Sequence, residues 1–229
     1  MALILCVETT SLNCSVAVSQ DGQAIASRDH QEAQFSHAEN LSVFINEVIE
    51  ESKMAYADLD AVCISSGPGS YTGLRIGTST AKGICFALDI PLIALNTLAI
   101  MTNHIQKEVQ ADLYVPMVDA RRMEVFTGKY NRELEPIGVS APMVLDEHSF
   151  SEDLKTENVL FFGSGAAKFN EICSHANARF NSSYVNRAIH MTGLAELALK
   201  NSEFEDLAYF EPNYIKGFVA TVPKAKLNQ

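Results

Sequence analysis

The chain has 229 residues, of which 47% are hydrophobic and 20% charged, with a formal net charge of −11 and a sequence pI of about 4.9. That balance suits one large or two small globular domains with a sizeable core, and it excludes a disordered chain. It also argues against a protein that grips nucleic acid unaided, because the densest cationic cluster is only Lys216, Lys224 and Lys226.

Five scattered cysteines without C-x-x-C spacing fit a reducing compartment, so a cytoplasmic location is expected. Met1 to Glu8 has no basic n-region, and its apolar run is too short for a signal peptide. No apolar run approaches the roughly 18 residues of a membrane helix. The best, Ile84 to Leu95, is interrupted by Asp89 and Pro91.

Leu3 to Val7 reads as an apolar strand ending in Glu8-Thr9-Thr10-Ser11. Ser15 to Ser19 alternates like a second strand, Asp21-Gly22 signals a hairpin, and Gln23 to Arg28 would be the third. A strand ending in an acid and hydroxyls before a hairpin has the shape of a phosphate loop; a plain polar hairpin tip fits as well. Ser36-His37-Ala38-Glu39 is a capping box. Leu41, Phe44, Ile45, Val48 and Ile49 then follow at helical spacing to about Lys53. A lone histidine at position 37 is expected on the surface or in the cap.

Ala61 to Ile64 predicts a buried strand, and Leu74 to Leu88 predicts a helix. Between them runs Ser65-Ser66-Gly67-Pro68-Gly69-Ser70-Tyr71-Thr72-Gly73, the most informative stretch of the chain. Gly67, Gly69 and Gly73 permit sharp turns and close approach, and Pro68 is expected to bias Gly67 toward extended geometry. A P-loop is excluded, because no lysine follows Gly73 or Gly77. A dinucleotide fingerprint is excluded too, because position 72 is threonine and the third glycine comes one residue late. Gly77 and Ala81, four apart, clear one face of the helix. With Ile84 and Cys85 they are candidates for a partner interface, expected to leave an apolar patch exposed in the monomer.

Pro91 to Leu95 reads as a short strand, with Asn96 or Thr97 capping a helix to about Lys107. Residues 1–108 are therefore expected to form an N-terminal α/β lobe with the glycine loop. Residues 109–229 would form a C-terminal α/β lobe whose tail has room to pack back on the first. In that second lobe Leu113 to Val118 is a strand ending in Asp119-Ala120-Arg121-Arg122. Glu124 to Tyr130 and Ile137 to Val144 are strand-like, and Val159 to Phe162 leads through Gly163-Ser164-Gly165 into a helix past Phe169, Ile172 and Cys173. Gly163 and Gly165 suit an adenosine cradle or a simple strand-to-helix turn. Met191 to Lys200 is a helix, and Tyr209 to Phe218 an extended or irregular tail.

The opening Glu8-Thr9-Thr10-Ser11, the core Gly67 to Gly77 with Thr72 and Arg75, Lys82-Gly83, Asp119 to Arg122 and Pro212-Asn213-Tyr214-Ile215-Lys216 together resemble the TsaB (YeaZ) family, in the family's motif order. The resemblance implies an α/β, two-lobed actin-like and Hsp70-like ATPase (ASKHA) fold. It also implies a part in making N6-threonylcarbamoyladenosine (t6A) at position 37 of tRNAs that read codons beginning with A. The catalytic relative, TsaD, carries an H-x-x-x-H metal motif, and the matching positions here are Thr97 and Met101. Neither residue type suits a borderline or hard cation, so no metal site is expected.

The resemblance therefore implies a non-catalytic scaffold that docks a TsaD-like catalytic subunit, is joined by a TsaE-like ATPase and forms a homodimer when alone. It would meet tRNA only through the complex. No cofactor is assigned to this chain by itself, with ATP or ADP left to the complex. Glu8 stands where actin-like ATPases place an aspartate, so a free-standing ATPase or small-molecule kinase is the alternative reading. A peptidase finds no nucleophile–base pair to work with.

Overall fold

The computed structural model describes residues 1–31 and 37–214. Strands β1 (Leu3–Glu8), β2 (Asn13–Gln20) and β3 (Gln23–Gln31) form an antiparallel meander. Its Asp21-Gly22 turn has positive φ at both residues, the geometry that matches the twist of a hairpin. Helix α1 (His37–Ser52) leads to β4 (Ala61–Ser65), which pairs parallel with β1, and α2 (Tyr71–Leu88) leads to β5 (Leu92–Leu95), which pairs parallel with β4. The sheet order is β3-β2-β1-β4-β5.

β1 is buried on both faces, so its side chains divide by alternation between two cores. Leu3, Leu5 and Val7 meet Leu41, Ile45 and Val48 of α1 on one side. Ile4 and Cys6 face Met191, Ala195 and Ala198 on the other.

The same architecture recurs. β6 (Leu113–Asp119), β7 (Glu124–Tyr130) and β8 (Pro136–Val144) form a meander, followed by α4 (Ser151–Thr156), β9 (Val159–Phe162), α5 (Ala166–Asn170) and β10 (Ala178–Asn181). β9 pairs parallel with β6, and β10 with β9, so the order is β8-β7-β6-β9-β10. The internal duplication is one of topology. β8 is almost wholly exposed, and Pro136 and Pro142, lacking N–H groups, blunt its free edge.

α3 (Thr97–Ile105) lies between the sheets: Ile100 packs beneath the first, while Leu98, Met101 and Ile105 pack on Tyr114, Leu160 and Phe162 of the second. After β10 the chain returns to the first sheet. α6 (Thr192–Lys200) covers one face, and Leu207 and Phe210 pack on the core of the other.

Several boundaries differ from the sequence reading. α2 starts at Tyr71, three residues early, because the Ser70 hydroxyl caps it by accepting from Gly73 N. Asn96 is the cap of α3, accepting from the amides of Leu98 and Ala99. The short α4, β10 and a single helical turn at Ala188–His190 had no periodicity long enough to announce them. Ser36 of the expected capping box, and the tail from Ile215 on with Lys216, Lys224 and Lys226, lie outside the described residues.

Candidate functional site

The glycine stretch and the Glu8–Ser11 turn form one unit. A Cβ on Gly69 would lie 2.4 Å from Thr10 Cβ, one on Gly73 1.9 Å from Thr9 O, and one on Gly77 2.4 Å from Thr9 Oγ1. The three glycines, four residues apart, thus admit the β1–β2 turn against the start of α2. Thr10 O accepts from Ser70 N at 2.7 Å, and Thr9 Oγ1 donates to Gly73 O at 2.8 Å. Pro68 does not hold Gly67 extended. Gly67 has φ +105°, its peptide to Pro68 is cis, and Asn213 O sits 2.8 Å from where a Cβ would be. The glycines accommodate other parts of the chain itself.

Glu8 is fully buried. Its Oε1 accepts from Thr10 N at 2.7 Å and from the Thr10 hydroxyl, while Oε2 has no partner among the described residues. Burial pushes its pKa up, against the opposing pull of the Thr10 donors. An acid held in this way is turned into the first lobe. Thr9 and Thr10 are likewise buried, and Thr10 and the half-buried Ser11 line the wall of the cleft between the lobes. His37, expected near the surface, is 1% exposed, and its Nε2–H donates to Ser11 O at 2.8 Å; burial lowers its pKa. Only the tertiary fold brings Ser11 over it.

The cleft has a volume of about 1480 Å3. Pro68 to Thr72 form one wall, Asp119 to Glu124 the other, and Tyr184 and Asn186 lie beside them. Asp119 accepts from Arg121 N at 2.6 Å and from Lys168 Nζ at 2.8 Å, which fixes a tight turn. At its tip Arg121 and Arg122 have φ of +72° and +49°, a left-handed pair that costs non-glycine residues on the order of 1 kcal/mol each. Both are exposed. The fold thus presents two adjacent cations to the cleft. Sequence reasoning had the motif but no role for it.

Gly163 and Gly165 form a strand-to-helix turn. A Cβ on Gly163 would meet Met101 Cε at 2.5 Å, and one on Gly165 would meet Val125 Cγ1 at 2.6 Å. Thr97 and Met101 are both buried. The Thr97 hydroxyl bonds that of Ser65 at 2.8 Å, and Met101 fills the core between α3 and the second sheet. Among the described residues no group of three His, Cys, Asp or Glu is placed to hold a metal ion.

The stripe expected to face a partner faces inward instead. Gly77 abuts Thr9, Ala81 and Cys85 are fully buried in the first core, and Ile84 is half-buried against it. The outward side of α2 carries Thr72, Arg75, Ser79, Gly83 and Phe86, spaced by three and four residues. Phe86 is 83% exposed, and Gly83 opens on empty space. Lys82 at its flank donates to the carbonyls of Ala208 and Phe210, which brings the 85% exposed Tyr209 alongside. Arg75 lies over the Tyr71 ring at 4.4 Å, and Tyr71 meets Tyr214 at 5.0 Å.

Two α/β lobes of equivalent strand order, with a cleft between them, make a two-lobed α/β fold. Residues 30–224 match the family described as TsaD, tRNA N6-adenosine threonylcarbamoyltransferase. The chain is 25% identical to the tRNA threonylcarbamoyladenosine biosynthesis protein TsaB of Haemophilus influenzae, over 94% of both chains. It is 31% identical to a tRNA N6-adenosine threonylcarbamoyltransferase of Bacillus thuringiensis, over 59% of this chain and 45% of that one. The crystal structure of YeaZ from Pseudomonas aeruginosa superposes with a TM-score of 0.78 at 25% identity, covering 93% of this chain and all of the other. The chain belongs to the threonylcarbamoyltransferase family, on its TsaB (YeaZ) branch.

Proposed function

We propose that this protein is a non-catalytic subunit in the synthesis of t6A at position 37 of tRNA. It docks a TsaD-like catalytic subunit, which transfers threonylcarbamoyl from its adenylate, and a TsaE-like ATPase joins them. The observation that carries the reading is the burial of Thr97 and Met101 where the relative has its metal pair, each engaged in internal packing. A threonine hydroxyl and a thioether so placed offer a borderline or hard cation no ligand pair.

The docking surface in this reading is the outward stripe of α2, with Phe86 and Tyr209 as apolar anchors and Arg75 as a polar one. Exposed aromatics beside a small open residue suit a helix packed from outside. The same stripe would serve self-association of the lone chain in the cytoplasm, so homodimer and partner complex would compete for it. With a net charge of −11, tRNA is engaged through the assembled complex, where Arg121 and Arg122 are cations lining the cleft. ATP or ADP belongs to the complex. The alternative, a free-standing ATPase or kinase, is disfavoured because Gly69, Gly73 and Gly77 pack the Thr9–Thr10 turn where a phosphate loop would receive its ligand.

Depletion of the protein, followed by nucleoside analysis of total tRNA, tests the assignment. Loss of threonylcarbamoyladenosine with unmodified adenosine in its place is the expected result. Undiminished modification would overturn it.

A further inference from the structure

His104 at the end of α3 and His190 in the Ala188–His190 turn lie 86 residues apart in sequence, yet their rings stack at 3.6 Å and 10°. His190 Nδ1 is bonded to the Tyr184 hydroxyl at 3.1 Å, and His104 Nε2 lies 3.3 Å from Glu108. Tyr184 in turn meets Phe162 edge-on and lines the interlobe cleft. α3 touches both sheets, Ile100 on the first, but its C-terminal end, which carries His104, is packed on the second through Met101 and Ile105, whereas the 188–190 turn is fastened to the first: Ala188 N donates to Ser15 Oγ at 2.9 Å, and Asn13 Nδ2 donates to Asn186 O at 2.8 Å. The stack therefore bridges the waist of the molecule.

We propose that the His104–His190 stack is a proton-operated latch: the neutral rings hold α3 to the 188–190 turn, and protonation of the pair releases that contact and the cleft residue Tyr184. The surroundings favour neutrality. Burial lowers both histidines, with His190 at about 3, and Lys107 and Arg187 add their positive charge to both. Glu108 alone opposes this, at His104. From β3, Asp29 reaches Arg187 at 3.6 Å and moderates its charge; burial is the main cause of the raised Tyr184 pKa, and Glu8 from β1 and Glu108 from the turn after α3 add to it.

Two imidazoles suppressed together make the opening cooperative in protons. Once apart and solvated, each ring takes up a proton more readily, so the open form binds up to two more protons than the closed form. Below about pH 6.5 the open population therefore rises by up to about a hundredfold per pH unit, and by at most about tenfold if one ring cannot titrate.

Hydrogen-exchange protection factors of residues 101–105 and 188–192, measured from pH 7.5 to 5 on the full chain and corrected for intrinsic exchange, test this. His190→Phe keeps a ring to stack but removes one proton site, and His104→Phe is the second variant should the first not fold. The latch predicts protection falling with a two-proton slope in the wild type and a one-proton slope in the variant, with β1 and β4 unchanged. Equal slopes in both proteins, or wild-type protection independent of pH, would overturn it.

Discussion

Gly73 shows how one residue type joins two distant parts of the chain. Its missing Cβ lets α2 approach Thr9 O to a distance no side chain tolerates. Gly73→Ala must push apart backbone on both sides, so we expect a loss of about 3 kcal/mol or more in denaturant unfolding. A change below 0.5 kcal/mol would show that the contact yields freely. Glu8 makes the opposite case, a charge-bearing residue where charge is disfavoured. Its folded pKa is raised by burial, so above the ordinary glutamate value of 4.5 the native state keeps a proton that the unfolded state has released. Stability from this group is complete below that value and declines as pH rises through the raised folded pKa. Glu8→Gln carries no charge at any pH and should raise the unfolding temperature at pH 8 relative to wild type, with the difference shrinking towards pH 4. A variant destabilised equally at both pH values would contradict a neutral Glu8.

At the scale of elements, α2 was legible as a helix after a glycine turn, but not in its orientation. Gly77 and Ala81 declare a face of close packing; which neighbour fills it depends on Thr9, 68 positions before Gly77, and on the first core. The outer stripe from Thr72 to Phe86 was equally present in the sequence, masked by its mixed polarity. The two faces are separable by mutation. Ala81→Arg places a cation in a fully buried site and should abolish cooperative folding, whereas Phe86→Arg should leave circular dichroism and melting temperature intact. In the proposed assembly Phe86→Arg weakens both self-association and binding of the TsaD-like subunit, by tenfold or more in calorimetric titration. Unchanged affinity in a folded Phe86→Arg protein would move the interface off α2. α4 and β10 escaped sequence reading because six and four residues contain too little periodicity to distinguish from loop. The His104–His190 pair escaped because 86 residues separate the two rings and no local spacing marks them as neighbours.

For the whole molecule, the repeated strand–helix alternation gave the α/β class, and the specific motif string pointed to the family that residues 30–224 match. What the alternation did not convey is that both halves share one strand order, or that the chain after β10 returns to cover the first sheet. Those are facts of long-range pairing, absent from any local window. In the proposed function, the molecule keeps the two-lobed architecture of its family and works by docking a TsaD-like catalytic subunit. The most direct measurement is threonylcarbamoyl transfer to tRNA in a reconstituted system with the purified chain, a TsaD-like subunit and a TsaE-like ATPase, each omitted in turn. The account predicts no transfer by this chain alone, with or without added zinc or iron, and full transfer only when it accompanies the other two. Sustained transfer by this chain in the absence of the TsaD-like subunit would contradict it.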